Sequence, residues 1–206
     1  MEKKGILTVV SGFSGAGKGT LMKQLVSRYK NYALSISATT RKPRQGEAEG
    51  REYFFTSVDE FELMIKNDNL IEYANYVGNY YGTPRNYVEE QLRQGKDVIL
   101  EIEIQGALKI KEKMPDTLLL FVMPPSAQEL KRRLTDRGTE DADTITARLK
   151  RANEEAVFME KYDYLIINDI LEECVEQMHS IIQNEHYKAF RNKSLIKKMK
   201  EELNAF

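Results

Sequence analysis

A glycine-rich stretch near the amino terminus constrains the fold more than any other feature of the chain. It runs Gly-Phe-Ser-Gly-Ala-Gly-Lys-Gly-Thr over residues 12–20, between an apolar run at residues 6–10 and apolar side chains at helical spacing over residues 21–29. Glycines let the backbone turn closely with positive φ, and successive N–H groups of such a turn can cradle phosphate oxygens at a helix N-terminus. The sequence therefore predicts a strand, a phosphate-binding loop and a helix, with Lys18 supplying the charge for the β- and γ-phosphates.

One position departs from the usual pattern of such loops. Gly19 stands where a hydroxyl residue usually follows the lysine, and Thr20 comes one position later. Because that hydroxyl ordinarily binds Mg²⁺, the sequence leaves the protein ligands of the metal unassigned.

The bulk composition narrows the class of protein. The 206 residues, 41% hydrophobic and 31% charged, predict a globular chain with one domain or one core carrying insertions. A net charge of −1 predicts no general attraction to nucleic acid or to a membrane. The single cysteine allows no internal disulfide and, with no apolar run of membrane-spanning length and no signal-like start, favours a cytoplasmic protein. Composition leaves open whether the chain is a monomer or a homo-oligomer.

Apolar runs that alternate with helical patterns indicate the fold class. The runs predict five strands, at residues 6–10, 34–37, 98–102, 118–122 and 164–167. Near-continuous apolar strands between helices are typical of a parallel sheet that helices cover on both faces. The prediction is an α/β fold in which ligands bind at the carboxyl ends of the strands.

Capping signals predict where the helices begin and end. The segments 57–60 and 126–129 each have the Ser-x-x-Glu pattern of a capping box. Thr83, followed by proline, predicts an N-cap, and Gly95 predicts the end of the same helix. Two further helices are predicted, from residue 143 to about 160 and from 172 to about 189.

Two segments interrupt the alternation of strands and helices. Residues 35–84 are rich in tyrosine, glycine and arginine and predict an inserted lobe, while residues 126–157 are arginine-rich and predict a mobile helical lid. Lids of this kind exclude water from nucleotide sites. The predicted order is core, lobe, core, lid, and core with a C-terminal helix, over residues 1–34, 35–84, 85–125, 126–157 and 158–206.

Several side chains of the predicted lobe suit the recognition of a phosphate or a base. Arg41 and Arg44 flank Pro43 in a turn where two guanidinium groups can converge on phosphate oxygens, although a solvated basic loop would have the same sequence. Tyr81 belongs to a tyrosine-rich turn, which can bind phosphate or simply pack. Glu72 lies in an apolar stretch, where a surface carboxylate is the default interpretation.

Two carboxylates follow the third apolar run. Alternation along a strand would place Glu101 and Glu103 on one face, where they could hold Mg²⁺ through water beside the phosphate loop or simply make an edge polar. The histidines, His179 and His186, have no acidic or cysteine partners at metal spacing and are predicted to be surface or packing residues. The basic segment 187–200 is predicted to form a solvated helix.

Together these pieces resemble guanylate kinase, of the nucleoside monophosphate kinase class, over most of the chain. Many NTPases share the loop, but the Thr-Thr-Arg-Lys-Pro-Arg segment combined with Gly-Asn-Tyr-Tyr-Gly is specific to this family. The resemblance implies a P-loop nucleotide-kinase core, a parallel sheet flanked by helices, with an inserted GMP-binding lobe and a helical lid. The segments that carry it are residues 11–18, 37–44, 50–53, 78–83, 101–106 and 137–140.

The resemblance implies transfer of the γ-phosphoryl group of ATP to GMP, and to dGMP, with Mg²⁺ accompanying ATP. Arg41, Arg44, Tyr53 and Tyr81 are implied to hold the phosphate of GMP. The residues implied at the guanine end of the site are Ser37, Glu72 and Thr83, with Glu101 and Glu103 beside them.

The resemblance also implies which residues form the ATP side. The phosphate loop contributes Gly12, Phe13, Ser14, Gly15, Ala16, Gly17, Lys18, Gly19 and Thr20. Arg133, Arg137 and Arg148 are implied to face the transferring phosphoryl group from the lid, and Asn168 to lie near the adenine. The residues implied in catalysis are Lys18, Arg41, Arg137 and Arg148.

Some positions depart from the family pattern. Phe13 stands where the family usually has proline, and Gly19 stands where it commonly has serine. Glu101 and Glu103 are one methylene longer than the aspartates familiar from eukaryotic members. These departures affect the expected Mg²⁺ geometry rather than the assignment.

Two alternatives stay open at the level of sequence. The Gly-Lys-Gly-Thr ending of the loop also resembles adenylate kinase, although the segments around Glu72 and Tyr81 argue against that enzyme. A guanylate-kinase-like module that binds phosphopeptides without catalysis can dispense with the phosphate loop, whereas Lys18, Arg41 and the lid arginines are all present here.

Overall fold

The computed structural model describes residues 4–76, 78–136 and 141–206, which form nine strands and eight α-helices. The strands are β1 (Leu7–Gly12), β2 (Tyr32–Leu34), β3 (Ser37–Thr39), β4 (Tyr53–Phe55), β5 (Leu70–Tyr76), β6 (Asn79–Pro84), β7 (Asp97–Glu101), β8 (Leu118–Met123) and β9 (Tyr164–Ile167). The helices are α1 (Lys18–Arg28), α2 (Val58–Lys66), α3 (Arg85–Arg93), α4 (Ile104–Lys113), α5 (Ala127–Thr135), α6 (Ala142–Ala156), α7 (Leu171–Glu185) and α8 (Lys193–Leu203).

The main sheet has five parallel strands in the order β2-β7-β1-β8-β9. Strand β1 lies at its centre, and all four residues of β1 from Leu7 to Val10 are buried. Helix α4 packs on β1 and β8, α3 packs on β7, and α1 packs against α7. This arrangement confirms the predicted α/β fold. Because β1 is the central strand, the loop that follows it lies at the middle of the row of strand carboxyl ends.

A second sheet of four strands, in the order β4-β3-β6-β5, forms entirely between residues 37 and 84. Strands β5 and β6 form an antiparallel hairpin, and β3 pairs with β6 on one side and with β4 on the other. It has a small core of its own, made of Ala38, Phe61 and Leu70. The sequence predicted an inserted lobe here but not its strands.

The predicted strand at residues 34–37 is divided between the two sheets. Strand β2 ends at Leu34 in the main sheet, and β3 begins at Ser37 in the second sheet. The backbone N–H of Ser35 still bonds to the carbonyl of Ile99 in β7, after which the chain leaves the main sheet. The segment is therefore the crossing point from one sheet to the other.

Two predictions about local structure are wrong. Thr83 does not cap α3, because its hydroxyl donates to Glu72 and α3 begins after Pro84 with no side-chain cap. Glu101 and Glu103 do not share a strand face, because β7 ends at Glu101 and Glu103 is the N-cap of α4. In both cases a tertiary neighbour or an early helix start overrides the local pattern.

The helix boundaries otherwise follow the capping signals. Ser57 and Glu60 form the predicted capping box of α2, and the Ser126 hydroxyl accepts from the N–H of Glu129 at the start of α5. The two long predicted helices are shorter than expected, since α6 and α7 end before short 3-10 helices at Met159–Lys161 and Ala189–Asn192. Helix α8 begins within the predicted solvated segment and continues to Leu203, and it has no buried residue. Among the residues described, none of the helices has the length and apolar character needed to cross a membrane.

Candidate active site

The loop between β1 and α1 has the backbone of a phosphate cradle. Gly15 and Gly17 have φ values of 91° and 88°, a conformation that residues with a Cβ rarely adopt. An added Cβ at Gly17 would also lie 2.5 Å from the amide nitrogen of Asn168. The loop ends where α1 begins at Lys18, so the N-terminus of that helix directly follows the glycine turn, as in a phosphate-binding loop.

Lys18 folds back over this loop. Its Nζ donates to the carbonyl oxygen of Gly12 at 2.8 Å and to that of Phe13 at 3.2 Å. The Phe13 ring is buried and packs edge-on against Phe121 with 5.0 Å between centroids. The residue that departs from the family pattern is therefore a core anchor for the loop, and the lysine charge is held at the loop.

Asn168 holds the phosphate loop through a side-chain hydrogen bond. Its side-chain nitrogen donates to the carbonyl of Ala16 at 2.8 Å, and the residue is 7% exposed. It follows β9, whose neighbour β8 lies beside β1 in the main sheet. The sequence suggested a place near adenine for Asn168 but not this contact with the loop, which depends on strand order.

Glu101 is the carboxylate beside the phosphate loop. Its Oε2 lies 3.9 Å from the position that a Cβ on Gly19 would take. Burial raises the pKa of this carboxyl, an effect that the positive charge of Lys18 offsets in part and that Glu103 reinforces. A carboxylate next to a phosphate cradle has the chemistry of a Mg²⁺ site, because Mg²⁺ commonly takes one or two carboxylates together with phosphate oxygens and water.

Arg41, two residues after β3, is held by several partners. Its Nη2 lies 2.8 Å and 3.0 Å from the two carboxylate oxygens of Glu47, and its Nη1 donates to the carbonyl of Lys42. The guanidinium lies over the rings of Tyr53 and Phe55, 5.3 Å and 6.0 Å from their centroids. A carboxylate and two aromatic faces, each of which attracts a cation, thus hold the guanidinium fork in one place.

Three of the residues implied at the GMP phosphate lie together around that point. Tyr53 and Tyr81 pack edge-on with 5.9 Å between ring centroids, and the hydrogen bond from Arg41 to Glu47, together with one involving Tyr81, raises the pKa of the arginine. The fourth residue, Arg44, contributes its backbone N–H to Glu47 at 2.7 Å, and its side chain is exposed.

Glu72 and Thr83 form a pair on the hairpin of β5 and β6. The Thr83 hydroxyl donates to Oε1 of Glu72 at 2.7 Å. Burial raises the pKa of Glu72, and the hydrogen bond from Thr83 followed by the charge of Lys109 offsets part of this rise. Glu72 is therefore not a surface carboxylate, which was the default interpretation of the sequence. One of its oxygens already accepts a hydrogen bond from Thr83, and the carboxyl group is largely removed from water.

Gly106 lies beside the second oxygen of Glu72. A Cβ at Gly106 would lie 3.6 Å from Oε2 of Glu72 and 3.3 Å from the side chain of Ile102. Helix α4 packs against β5, which brings this glycine to the carboxylate. The contact had no signal in the sequence beyond the glycine itself.

A single cavity joins the two halves of the site. Its volume is about 180 Å³. Its lining includes Gly19 of α1, Glu101 of β7, Ser37 of β3 and Thr83 of β6. The start of the phosphate-loop helix and the second sheet therefore border one space at the carboxyl ends of β2 and β7.

The lid arginines are held mainly by partners within or near the lid. Arg133 donates to Glu129 at 2.7 Å, and Arg148 reaches the hydroxyl of Ser14 in the phosphate loop at 3.3 Å. Arg151, which the sequence did not single out, bridges Glu155 on its own helix and Glu103 at the start of α4. Arg137 lies outside the described residues.

Comparison with known proteins identifies the family of the chain. The guanylate kinase family model matches residues 4–185 of the chain. Curated guanylate kinases from Lactococcus lactis and Caldanaerobacter subterraneus are 50% identical over 191 residues and 48% identical over 202 residues, covering 93% and 98% of this chain and the same shares of their own. A crystal structure of guanylate kinase from Anaplasma phagocytophilum superposes with a TM-score of 0.71 at 35% identity, covering 92% of this chain and 90% of that one. The chain belongs to the guanylate kinase family.

Proposed function

We infer that the protein transfers the γ-phosphoryl group of ATP to GMP, giving ADP and GDP. The observation that carries this inference is the single cavity bordered by the phosphate-loop helix at Gly19 and by Ser37 and Thr83 of the second sheet. A phosphate cradle supplies a donor site, and a carboxylate–hydroxyl pair beside an Arg–Tyr cluster supplies an acceptor site. The reaction is a direct in-line transfer that needs no covalent enzyme intermediate.

The acceptor half supports recognition of a guanine nucleotide. Guanine presents two adjacent donors, N1–H and the N2 amine, and an ionised carboxylate has two acceptor oxygens at matching spacing. Glu72 supplies this carboxylate, and Ser37 and Thr83 supply hydroxyls for the base. Adenine turns a lone pair at N1 toward the same carboxylate, so AMP is rejected.

The phosphate of GMP binds at the cluster of Arg41, Tyr53 and Tyr81, with Arg44 at its exposed side. Arginine suits this place because its planar fork matches phosphate oxygens. Fixing the acceptor phosphate beside the donor phosphate turns a bimolecular encounter into a positioned reaction.

The donor half neutralises the charge of the transferring group. Lys18, together with Arg148 and the remaining lid arginines, approaches the phosphates as residues 126–157 close over the lobe of residues 35–84 and exclude water. Mg²⁺ accompanies ATP and supplies further charge neutralisation, and Glu101 is the carboxylate best placed to hold it through water. Deoxy-GMP is a second acceptor, since the residues proposed above contact only base and phosphate.

A coupled assay of ADP release tests the function. We expect turnover with GMP and dGMP, and far slower turnover with AMP, UMP and CMP. Lys18→Met serves as the inactive reference: it should keep the fold and lose ~10²–10³-fold in kcat, because one strong electrostatic contact to the transition state has that worth. Lys30→Met is the matched control, an exposed lysine just beyond the end of the same helix. Equal activity with AMP would contradict the assignment.

A further inference from the structure

We propose that Glu47 is a positioning residue for the acceptor phosphate: it holds Arg41 in the orientation in which the guanidinium meets the phosphate of GMP. The proposal rests on the function proposed above. The implied site residues do not include Glu47, whose assignment comes from the contacts of its carboxylate.

Both oxygens of the Glu47 carboxylate are engaged at the phosphate cluster. Oε1 lies 2.8 Å and Oε2 3.0 Å from Nη2 of Arg41, and Oε2 also accepts from the backbone N–H of Arg44 at 2.7 Å. The side chains of Arg41 and Glu47 are only 14% and 18% exposed. The hydrogen bond from Arg41, followed by that from Arg44, holds the pKa of Glu47 below its usual range, so the carboxylate is ionised at neutral pH.

The contacts of Arg41 fix one edge of the guanidinium and leave donors for a ligand. A guanidinium carries five N–H groups. One N–H of Nη2 is shared between the two oxygens of Glu47, one N–H of Nη1 donates to the carbonyl of Lys42, and a further hydrogen bond involves Tyr81. A second anion can therefore bind along another edge while Glu47 keeps its own, and the rings of Tyr53 and Phe55 prevent the group from turning away.

The turn that carries Glu47 keeps it in reach of Arg41. Its backbone N–H donates to the carbonyl of Arg44 at 3.1 Å, and Gly46 before it has a φ of 88°. Two hydrogen bonds thus join Glu47 to Arg44 across the turn, one donated by the backbone N–H of Glu47 and one accepted by its carboxylate. Without it, a half-buried arginine would lose its partner and gain rotamer freedom, which the phosphate would have to remove on binding.

Glu52 offers a matched control in the same loop. Its carboxylate accepts from the backbone N–H of Ala48 at 2.8 Å and from Nε of Arg51 at 2.6 Å. It therefore holds the loop by the same chemistry as Glu47 but does so away from Arg41. A loss caused only by loosening the loop should appear in variants of either residue.

The test compares Glu47→Gln, Glu47→Ala and Glu52→Gln by steady-state kinetics and by binding of GMP and of guanosine. For Glu47→Ala we expect the KM for GMP to rise ~10–100-fold, the range of a hydrogen bond to a charged group, with kcat and the KM for ATP changed much less. Glu47→Gln keeps one acceptor oxygen and should give a smaller rise. Guanosine has no phosphate, so its dissociation constant should stay at the wild-type value in both variants.

Three results would overturn the proposal. A lower KM for GMP in Glu47→Gln would show that Glu47 competes with the phosphate of GMP for the guanidinium of Arg41. An unchanged KM for GMP would show that Glu47 does not position Arg41 for the phosphate. An equal loss of affinity for guanosine, or an equal rise in KM for Glu52→Gln, would show that Glu47 only stabilises the loop. Melting temperatures show whether the variants fold, and the isosteric glutamine variant decides the matter if the alanine variant does not. Failure of the proposed function itself would appear separately, as inactivity of the wild-type protein with GMP.

Discussion

Two arginine–carboxylate pairs of nearly equal length, one in the predicted lobe and one between the predicted lid and α4, differ strongly in burial. Arg41 and Glu47 in the lobe lie 2.8 Å apart with side chains 14% and 18% exposed, whereas Arg151 of α6 and Glu103 lie 2.7 Å apart with side chains 59% and 77% exposed. An exposed pair contributes only ~0–1 kcal/mol and is screened by salt. The comparison indicates that Arg41 is firmly held by Glu47, whereas the contact of Arg151 with Glu103 exchanges easily.

This difference suits the proposed reaction. An acceptor site that is rigid before binding loses little entropy when the nucleotide arrives. A lid must do the opposite, since its arginines have to leave one set of partners and meet the phosphates when the site closes. Arg148 differs from Arg151 in this respect, because its hydrogen bond to Ser14 already links α6 to the phosphate loop.

The largest effect should come from removing the charge of Glu72, which we propose selects the base. Glu72→Gln replaces one acceptor oxygen by a donor that faces the N–H groups of guanine, so we expect kcat/KM for GMP to fall ~10²-fold or more. The ratio of GMP to AMP use should narrow, and the KM for ATP should barely change. Glu62→Gln, an exposed position on α2, is the control. A value for GMP within about threefold of wild type, under ~1 kcal/mol, would show that another residue selects the base.

The next largest effect should come from changing the geometry of the lobe cation while keeping its charge. Arg41→Lys cannot serve Glu47 and a phosphate along two edges at once. We expect the KM for GMP to rise ~10–100-fold, the worth of a hydrogen bond to a charged group, and the measurement is a GMP titration at saturating ATP. Arg51→Lys, which changes an exposed arginine of the same loop, should stay near wild type. An equal rise in the KM for GMP in the two variants would show that the buried Arg41 matters no more than an exposed arginine of the same loop.

A smaller effect is expected in the lid. Arg151→Gln removes the exposed pair with Glu103, so the melting temperature should fall by no more than about 4 °C, as expected for ~1 kcal/mol or less in a domain of this size. The difference from wild type should shrink in 0.5 M NaCl, where a Debye length of a few ångströms screens the pair. A loss that persists at high salt would show that the lid contact is as firmly built as the lobe pair.

The sequence predicted the features that depend on local pattern. The phosphate loop, the parallel sheet and the capping box of α2 follow from glycine spacing, apolar runs and a Ser-x-x-Glu motif, and the structure confirms the last two directly. The site residues implied by resemblance stay predictions, although Arg41, Tyr53 and Tyr81 lie together as that implication requires.

The sequence could not predict features that depend on which side chains meet in space. Thr83 has the local signature of an N-cap, and only the pairing of β5 with β6 brings it to Glu72 instead. Asn168 contacts the loop because β9 and β1 flank the same strand. Glu47 and Arg151 are ordinary charged residues in the sequence, and their partners emerge only once the chain is folded.

The smallest expected effect concerns the stability cost of the base-selecting carboxylate. Burial raises the pKa of Glu72, which the Thr83 hydrogen bond only partly offsets. A group whose pKa is higher in the folded state adds stability at pH values below its unfolded pKa, and that stability is lost as the pH rises through the folded pKa. At neutral pH the ionised Glu72 is therefore unfavourable in the protein without nucleotide.

Glu72→Gln should accordingly raise the melting temperature at pH 7.5 and not at pH 4, where the wild-type carboxyl is already largely neutral. The gain should be no more than about 4 °C, as for ~1 kcal/mol or less in a domain of this size. Scanning calorimetry at the two pH values, with Glu62→Gln as the exposed control, gives the measurement. Adding GMP should reverse the order at pH 7.5, because ligand that binds only the native state stabilises the wild type more than a variant with weaker affinity. A gain of equal size at both pH values would mean that the glutamine stabilises by packing, and the charge of Glu72 would then carry no cost in the empty site.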